Sequence, residues 1–336
     1  MNNKLTFGYL YDFRNPASWH KPWTQLYAET IDLIAWSETV GFKGAWIPEH
    51  HCAEDGYMPS PMVTLAAIAA RTKTINIGTA VALAPLYHPV RFAEECAALD
   101  ILSNGRIEMA LAIGYRRRET EAFGVDFTKR GARFDEFLQI IRALWAGETV
   151  SFEGQHFTIK NATLMPPAPR GHVPLYIGGF ADKALARVAK YADGYFGNEE
   201  VCDQYIEKLR LQGKAADSAR IRIQGLFTTV ADDPEQAMEE LAPHYHHVNN
   251  SYGAWMNEDK AVGVEGALLK PMSLEQFKRS SILQIWTPAQ AIDKFKAMQA
   301  RMPIEHYMMM MPPGLPSARF IAYAELFANK VLPAFQ

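Results

Sequence analysis

The sequence predicts an α/β protein, a (β/α)8 TIM barrel with insertion loops at the carboxyl-terminal face of its strands, built as a single domain over residues 1–336. Three observations carry that expectation. Short β-branched or apolar runs alternate with longer amphipathic stretches from end to end, which specifies a parallel sheet with helices outside it. Eight such repeats can be drawn, the number that closes the sheet on itself. No G-x-G-x-x-G follows the first strand, where an open dinucleotide-binding sheet would place it to seat a pyrophosphate.

In chain order the strand candidates are Leu5–Tyr11, Gly44–Pro48, Ile75–Val81, Ile107–Ile113, Leu175–Ile177, Gly194–Gly197, Ile221–Val230 and Ile304–Met311. Most are short and rich in apolar or β-branched residues, as strands covered on both faces are. Between them, apolar residues recur at helical spacing over Thr24–Val40, Pro61–Arg71, Pro89–Ile101, Arg130–Trp145, Ala181–Tyr191, Val201–Gln212, a stretch opening near Pro234, and Pro288–Ala300; Ala318–Leu332 closes the ring. Two interruptions break the rhythm. Residues 150–174 contain two alternating runs around Glu153-Gly154, the pattern of a small hairpin, followed by a Pro-rich connector. Residues 243–281 mix His244, His246, His247, asparagines, glycines and Trp255 without a steady period, which predicts a long loop acting as a lid over the barrel mouth.

Composition narrows the function. With 49% hydrophobic residues the chain has ample core, and a net charge of −3 gives no basic surface for nucleic acid or an anionic membrane. No run approaches the roughly 18 apolar residues of a membrane span, and Met1–Leu5 does not open a secretory signal. Three scattered cysteines, Cys52, Cys96 and Cys202, fit a reduced, cytoplasmic protein; Cys52, beside the histidines, either touches a ligand or is a small buried thiol.

The most informative side chains are Glu49-His50-His51, directly after the second strand, where barrel enzymes keep their chemistry. An imidazole exchanges protons near neutral pH, so a general base fits, as do a metal site or a satisfied polar rim. Gly178-Gly179, between a strand and a helix, suits a phosphate held by backbone N–H groups, or an ordinary tight turn. Arg116-Arg117-Arg118 follows the fourth strand and Arg130 and Arg133 open the next helix; one or two of them could grip an anion, the rest forming a solvated face. Thr79-Ala80-Val81 ends the third strand with small residues that let a flat ligand lie against backbone, or that merely fit a crowded barrel. His244, His246 and His247 are of metal-ligating type, but no Asp-x-His or His-x-His ends the first strand, and no metal is expected.

Taken together and in order, several segments resemble the bacterial luciferase-like family of flavin-dependent barrel enzymes. They include Gly41-Phe42 through His51, Ile77–Val81, His88-Pro89-Val90-Arg91, Leu99–Arg106, Ala122-Phe123-Gly124, Arg130–Glu136, Tyr176–Gly179, Ala192-Asp193-Gly194 and Phe327–Pro333. The resemblance implies that His50 matches the luciferase histidine serving as base or proton donor, and that the loop bearing Glu49 lines the flavin ring. It implies that Thr79, Ala80 and Val81 lie against the isoalloxazine, with a non-proline cis bond between the second and third. Gly178, Gly179 and Phe196 match phosphate and ring-packing positions, Arg130 or Arg133 the phosphate-region arginine, and Ala112 and Gly114 line the cofactor. Two departures matter: the luciferase cysteine near the oxygen-reactive carbon corresponds to Ala112, and an adjacent phosphate-binding arginine to Ile113, so light emission is not expected.

The resemblance therefore implies a monooxygenase using reduced FMN and O2 on a small organic substrate, the flavin coming from a separate NAD(P)H:flavin reductase, and a homodimer. Tyr11, Trp46 and Trp255 are expected to form an apolar rim that excludes water. Alternatives are a deazaflavin-dependent hydride-transfer enzyme of the same fold, a non-catalytic flavin-binding protein and a metal-dependent barrel hydrolase.

Overall fold

Eight short apolar runs have nowhere to bury both faces except against one another and a ring of helices, and they close into a parallel barrel. The computed structural model describes residues 4–260 and 269–336. Its strands are β1 (Thr6–Leu10), β2 (Gly44–Ile47), β3 (Asn76–Leu83), β4 (Ile107–Ala112), a separate hairpin of β5 (Val150–Glu153) and β6 (Thr158–Ala162), then β7 (Leu175–Ile177), β8 (Gly194–Gly197), β9 (Ile221–Gln224), an outlying pair β10 (Thr228–Val230) and β11 (Gln284–Trp286), and β12 (Ile304–Met310). Round the barrel the order is β1-β12-β9-β8-β7-β4-β3-β2.

The helices are α1 (Trp23–Thr39), α2 (Pro61–Arg71), α3 (Pro89–Ser103), α4 (Arg117–Ala122), α5 (Arg130–Trp145), α6 (Asp182–Tyr191), α7 (Cys202–Leu211), α8 (Pro234–Lys260), α9 (Leu274–Arg279), α10 (Pro288–Arg301) and α11 (Ser317–Lys330). Their buried residues fall three and four apart, as in α5, where Phe134, Phe137, Leu138, Ile141 and Leu144 form one stripe. Pro61, Pro89 and Pro288 stand in the first helical turn, where the missing N–H costs nothing.

The barrel interior is filled by large side chains set against glycines. Trp46 meets Phe196 edge-on, ring centroids 5.3 Å apart, and its indole N–H donates to His306 Nε2 at 2.9 Å. A Cβ at Gly44 would come within 2.6–2.8 Å of the Trp46 and His306 rings, so only glycine admits this pair. Nearer the amino ends, Arg222 on β9 forms ion pairs with Glu108 on β4 (2.5 Å) and Glu305 on β12 (2.7 Å), a charge network that reaches the surface through Arg220.

Two expectations are corrected. The strand expected over Ile221–Val230 is two strands: at Gly225 the chain turns past Tyr307, whose hydroxyl lies 2.1 Å from where a Cβ would stand, and β10 leaves the barrel to pair in parallel with β11. The aperiodic loop expected from Pro243 is helical through Lys260. Pro243, a residue that normally ends a helix, sits inside α8, and the buried Leu241, Tyr245, Val248 and Asn249 supply the helical spacing that the polar mixture concealed. Residues 261–268 of the expected lid lie outside the described residues. Among the described residues, no helix is long and apolar enough to cross a membrane.

Candidate active site

β8, β7, β4, β3 and β2 are consecutive round the barrel, so the residues after their carboxyl ends share one arc of the mouth. This arc gathers Phe196, Gly178 and Gly179, Ala112 and Gly114, Ala80 and Val81, and Glu49 to His51. The Ala80–Val81 bond is cis, and the β3–β4 register shifts between Ala80 and Ala82. Thr79 is fully buried and its hydroxyl donates to the Ala110 carbonyl, so its side chain serves the barrel wall. Phe196 is likewise beneath the mouth, packed on Trp46. What the arc offers is small side chains and backbone, with Val81, Ala112 and Gly114 only half-buried. A flat, hydrogen-bonding ring fits such a surface.

Glu49 holds this wall. Its carboxylate accepts hydrogen bonds from the Leu83 N–H (2.6 Å), the Tyr87 hydroxyl (2.9 Å) and His51 Nε2 (2.9 Å), tying the end of β2 to β3 just beyond the cis bond. Arg130 donates through Nε to the Gly114 carbonyl (3.0 Å) and stacks on Phe127 at 3.6 Å, which sets its guanidinium at the end of β4. Arg117 lies over the same ring at 4.6 Å, so two cations converge on one side of the arc. Arg133 is turned to the Pro85 carbonyl. At Gly179 φ is +133°, and α6 begins three residues later with Asp182 in its first turn, already supplying negative charge to that helix end.

The strongest polar constellation surrounds His50. Its Nδ1 lies 2.8 Å from Glu119 Oε1, and the same oxygen accepts from the His51 N–H (3.0 Å) and Arg116 Nη1 (3.0 Å). Glu119 Oε2, also buried, has no hydrogen-bond partner among the described residues. His50 Nε2 makes no hydrogen bond to the described residues either. Burial pushes the His50 pKa down, Glu119 opposing the effect and Arg116 and Arg14 adding to it. Burial would raise the Glu119 pKa, but hydrogen bonds from His50 and His51 and the charge of Arg116 outweigh it and hold the carboxyl below its ordinary range. The pair is thus neutral imidazole and carboxylate, with Nδ1–H donating to Glu119 and Nε2 left as an acceptor.

Aromatic rings enclose the imidazole: Tyr57 at 4.7 Å, Trp255 at 5.1 Å, Tyr252 at 5.7 Å and Tyr115 at 5.8 Å between centroids. Tyr252 and Trp255 come from α8, which is tied to the mouth by His247 hydrogen-bonded to Asp55 (2.8 Å). Asp55 in turn accepts from Arg14 (3.1 Å), a fully buried side chain lying 3.9 Å over Tyr57. Of the three residues expected to form an apolar rim, only Trp255 stands at His50. Trp46 lies inside the barrel, and Tyr11 points outward, its ring against Phe320 of α11.

The structure places His50 after β2, the strand next to β3 in the barrel, with Glu49 bonded to the Leu83 N–H between them. It assigns Arg116 to Glu119 and the His51 carbonyl rather than to an open anion site. The three α8 histidines do not converge: His244 bonds the Pro313 carbonyl, His246 the Met272 carbonyl and His247 Asp55. Cys52 is exposed. Sequence reasoning missed Glu119, Arg14, Tyr57, Tyr115 and Tyr252; an acid closing the run Arg116-Arg117-Arg118 was the one available signal for Glu119.

A closed parallel barrel with a histidine–carboxylate pair and a backbone-lined arc at the carboxyl ends of its strands has the build of a barrel enzyme. Residues 5–303 match the family model described as luciferase-like monooxygenase, and the chain belongs to that family. The oxygenase component of the flavin-dependent trigonelline monooxygenase of Acinetobacter baylyi is 28% identical, covering 93% of this chain and 90% of that protein. An F420-dependent glucose-6-phosphate dehydrogenase of Microbacterium testaceum is 32% identical, covering 54% of this chain and 56% of that one. Among solved structures, the monooxygenase RslO1 from Streptomyces bottropensis superposes with a TM-score of 0.82 at 23% identity, covering 99% of this chain and 100% of that chain, a likeness of fold.

Proposed function

We propose that this protein is the oxygenating component of a two-component monooxygenase, taking reduced FMN from a separate NAD(P)H:flavin reductase and using O2 to oxidise a small organic substrate. The observation that carries the proposal is the tethered imidazole: His50 is bound to Glu119 through Nδ1, its Nε2 makes no hydrogen bond to the described residues, and the strand it follows, β2, adjoins β3 with its small residues. The printed description of the Acinetobacter baylyi relative, an oxygenase component, supports the separate reductase. When bound, reduced flavin supplies the electrons that activate oxygen. Val81, Ala112, Gly114 and Gly178 hold the ring against backbone, Arg130 and the turn at Gly178-Gly179 serve its phosphate, and Glu49 keeps that wall in place. His50 accepts or returns a proton at Nε2, while Tyr57, Tyr252 and Trp255 exclude water from it. We also propose a homodimer, through the exposed Val63 of α2 and Ile101 and Leu102 of α3.

The F420-dependent relative keeps one other cofactor in play. Titration with reduced FMN, oxidised FMN and the deazaflavin F420 separates the two, with trigonelline as the first compound to assay for coupled O2 consumption. Tight binding of reduced FMN and substrate-dependent O2 uptake are expected. Binding of F420 alone overturns the monooxygenase assignment.

A further inference from the structure

We propose that Glu119 is the positioning residue for His50: it fixes the imidazole in the Nδ1–H form, turns Nε2 toward the substrate, and balances the charge that His50 gains when it takes a proton. The inference rests on the function proposed above and adds to it a residue 69 positions away in the chain.

Three observations support it. One carboxylate oxygen collects three donors, His50 Nδ1, the His51 N–H and Arg116 Nη1, all between 2.8 and 3.0 Å, so Glu119 is anchored from both sides of the imidazole. An imidazole whose Nδ1–H is held by a carboxylate presents Nε2 as its basic atom. The other oxygen of Glu119 is buried and has no partner among the described residues, leaving unspent negative potential beside His50.

Arg116 stabilises the ionised carboxylate without displacing His50, because its guanidinium is shared with the His51 carbonyl and stacked on Trp255 at 4.1 Å. The charged and titratable groups facing His50 are Glu119 and Arg116 from the β4–α4 segment, Tyr115 before them, Arg14 after β1, Tyr57 after β2 and Tyr252 on α8. The three tyrosines stay neutral, burial pushing each hydroxyl up, and Glu119 is the one anion among the six.

The chemistry is a single proton transfer. A substrate O–H or N–H bond breaks, its electron pair stays on the substrate atom, the proton moves to Nε2, and Glu119 remains ionised against the resulting imidazolium. The ligand group that this atom recognises is therefore a hydrogen-bond donor.

The test uses the full chain. In 15N-histidine NMR of the flavin-free protein, with His50→Asn to identify the signals, His50 is expected in the Nδ1–H form. In Glu119→Gln, which keeps an acceptor for the His50, His51 and Arg116 donors but removes the charge, flavin affinity is expected to stay within about threefold. Its kcat/KM is expected to fall by at least about tenfold, and the acid limb of its pH profile to move to lower pH, because the carboxylate that raised the His50 pKa is gone. Glu119→Asp is expected to restore part of the rate. A resting Nε2–H form in the wild type, or a Glu119→Gln enzyme with unchanged rate and pH profile, overturns the proposal. Wild-type protein that binds no reduced flavin overturns the function proposed above instead, while the NMR result still decides the tautomer.

Discussion

Two buried histidines, His50 at the mouth and His306 inside the barrel, show how the same side chain is put to opposite uses. At His306 both ring nitrogens are engaged: Nδ1 with Thr6 at 2.8 Å and Nε2 with the Trp46 indole at 2.9 Å. Burial, with Arg222 adding to it, pushes the His306 pKa well below its ordinary value. It can neither gain a proton cheaply nor offer a free lone pair, so it packs the barrel. His50 is as deeply set but spends only Nδ1, and its anchor is an anion rather than a hydroxyl. Burial alone therefore does not set the two histidines apart; an unspent nitrogen beside a counter-charge does.

That contrast can be broken by substitution. His50→Ala is expected to lower kcat by about 10²–10⁴ with flavin affinity little changed and a smaller loss of stability than at His306, because Glu119 keeps the His51 and Arg116 donors. His306→Ala should do the reverse, costing about 2–4 kcal/mol through the cavity and the orphaned Trp46 N–H, with turnover per folded molecule nearly intact. Denaturant melts paired with steady-state rates on folded protein check both. A His306 variant that stays stable but inactive would erase the distinction.

A smaller effect concerns pH. The unfolded chain protonates histidine near pH 6.5, whereas folded His306 resists doing so to well below that value. Below about pH 6.5 the unfolded state therefore binds more protons and stability falls as pH falls, by up to about 1.4 kcal/mol per unit for this group. His306→Gln should flatten the stability–pH curve between about pH 6.5 and 5; an unchanged slope would mean that other groups set it. The smallest effect sharpens the map of the mouth. Asp182→Asn removes a negative charge from the first turn of α6, and FMN affinity should rise by about 0.3–1 kcal/mol if the phosphate sits there. No change in the titration would move the phosphate toward Arg117 and Arg130.

The barrel strands were legible because runs such as Leu175–Ile177 and Gly194–Gly197 are too apolar to sit anywhere but in a doubly covered sheet. Local chemistry failed where a single residue sent two signals. Gly225 falls inside one unbroken run, Ile221–Val230, yet is the bend between β9 and β10, while Pro243, where the aperiodic stretch opens, is carried inside α8. The site divided in the same way. His50 announced itself by following a strand, as did the glycines after β7. Glu119 could not, because its meaning lies in a hydrogen bond spanning 69 residues, and no local period encodes it. Arg14 and Tyr57 acquire theirs only when α8 folds over them.

The two walls of the mouth are drawn from different parts of the chain. The arc proposed for the cofactor comes from barrel strand ends and is mostly backbone, locked by Glu49. The enclosure of His50 depends on Tyr252 and Trp255, side chains of one helix that is tied down by His244, His246 and His247. Under the function proposed above, grafting the stretch around 247–255 from a relative is expected to exchange what is oxidised while leaving the cofactor arc intact.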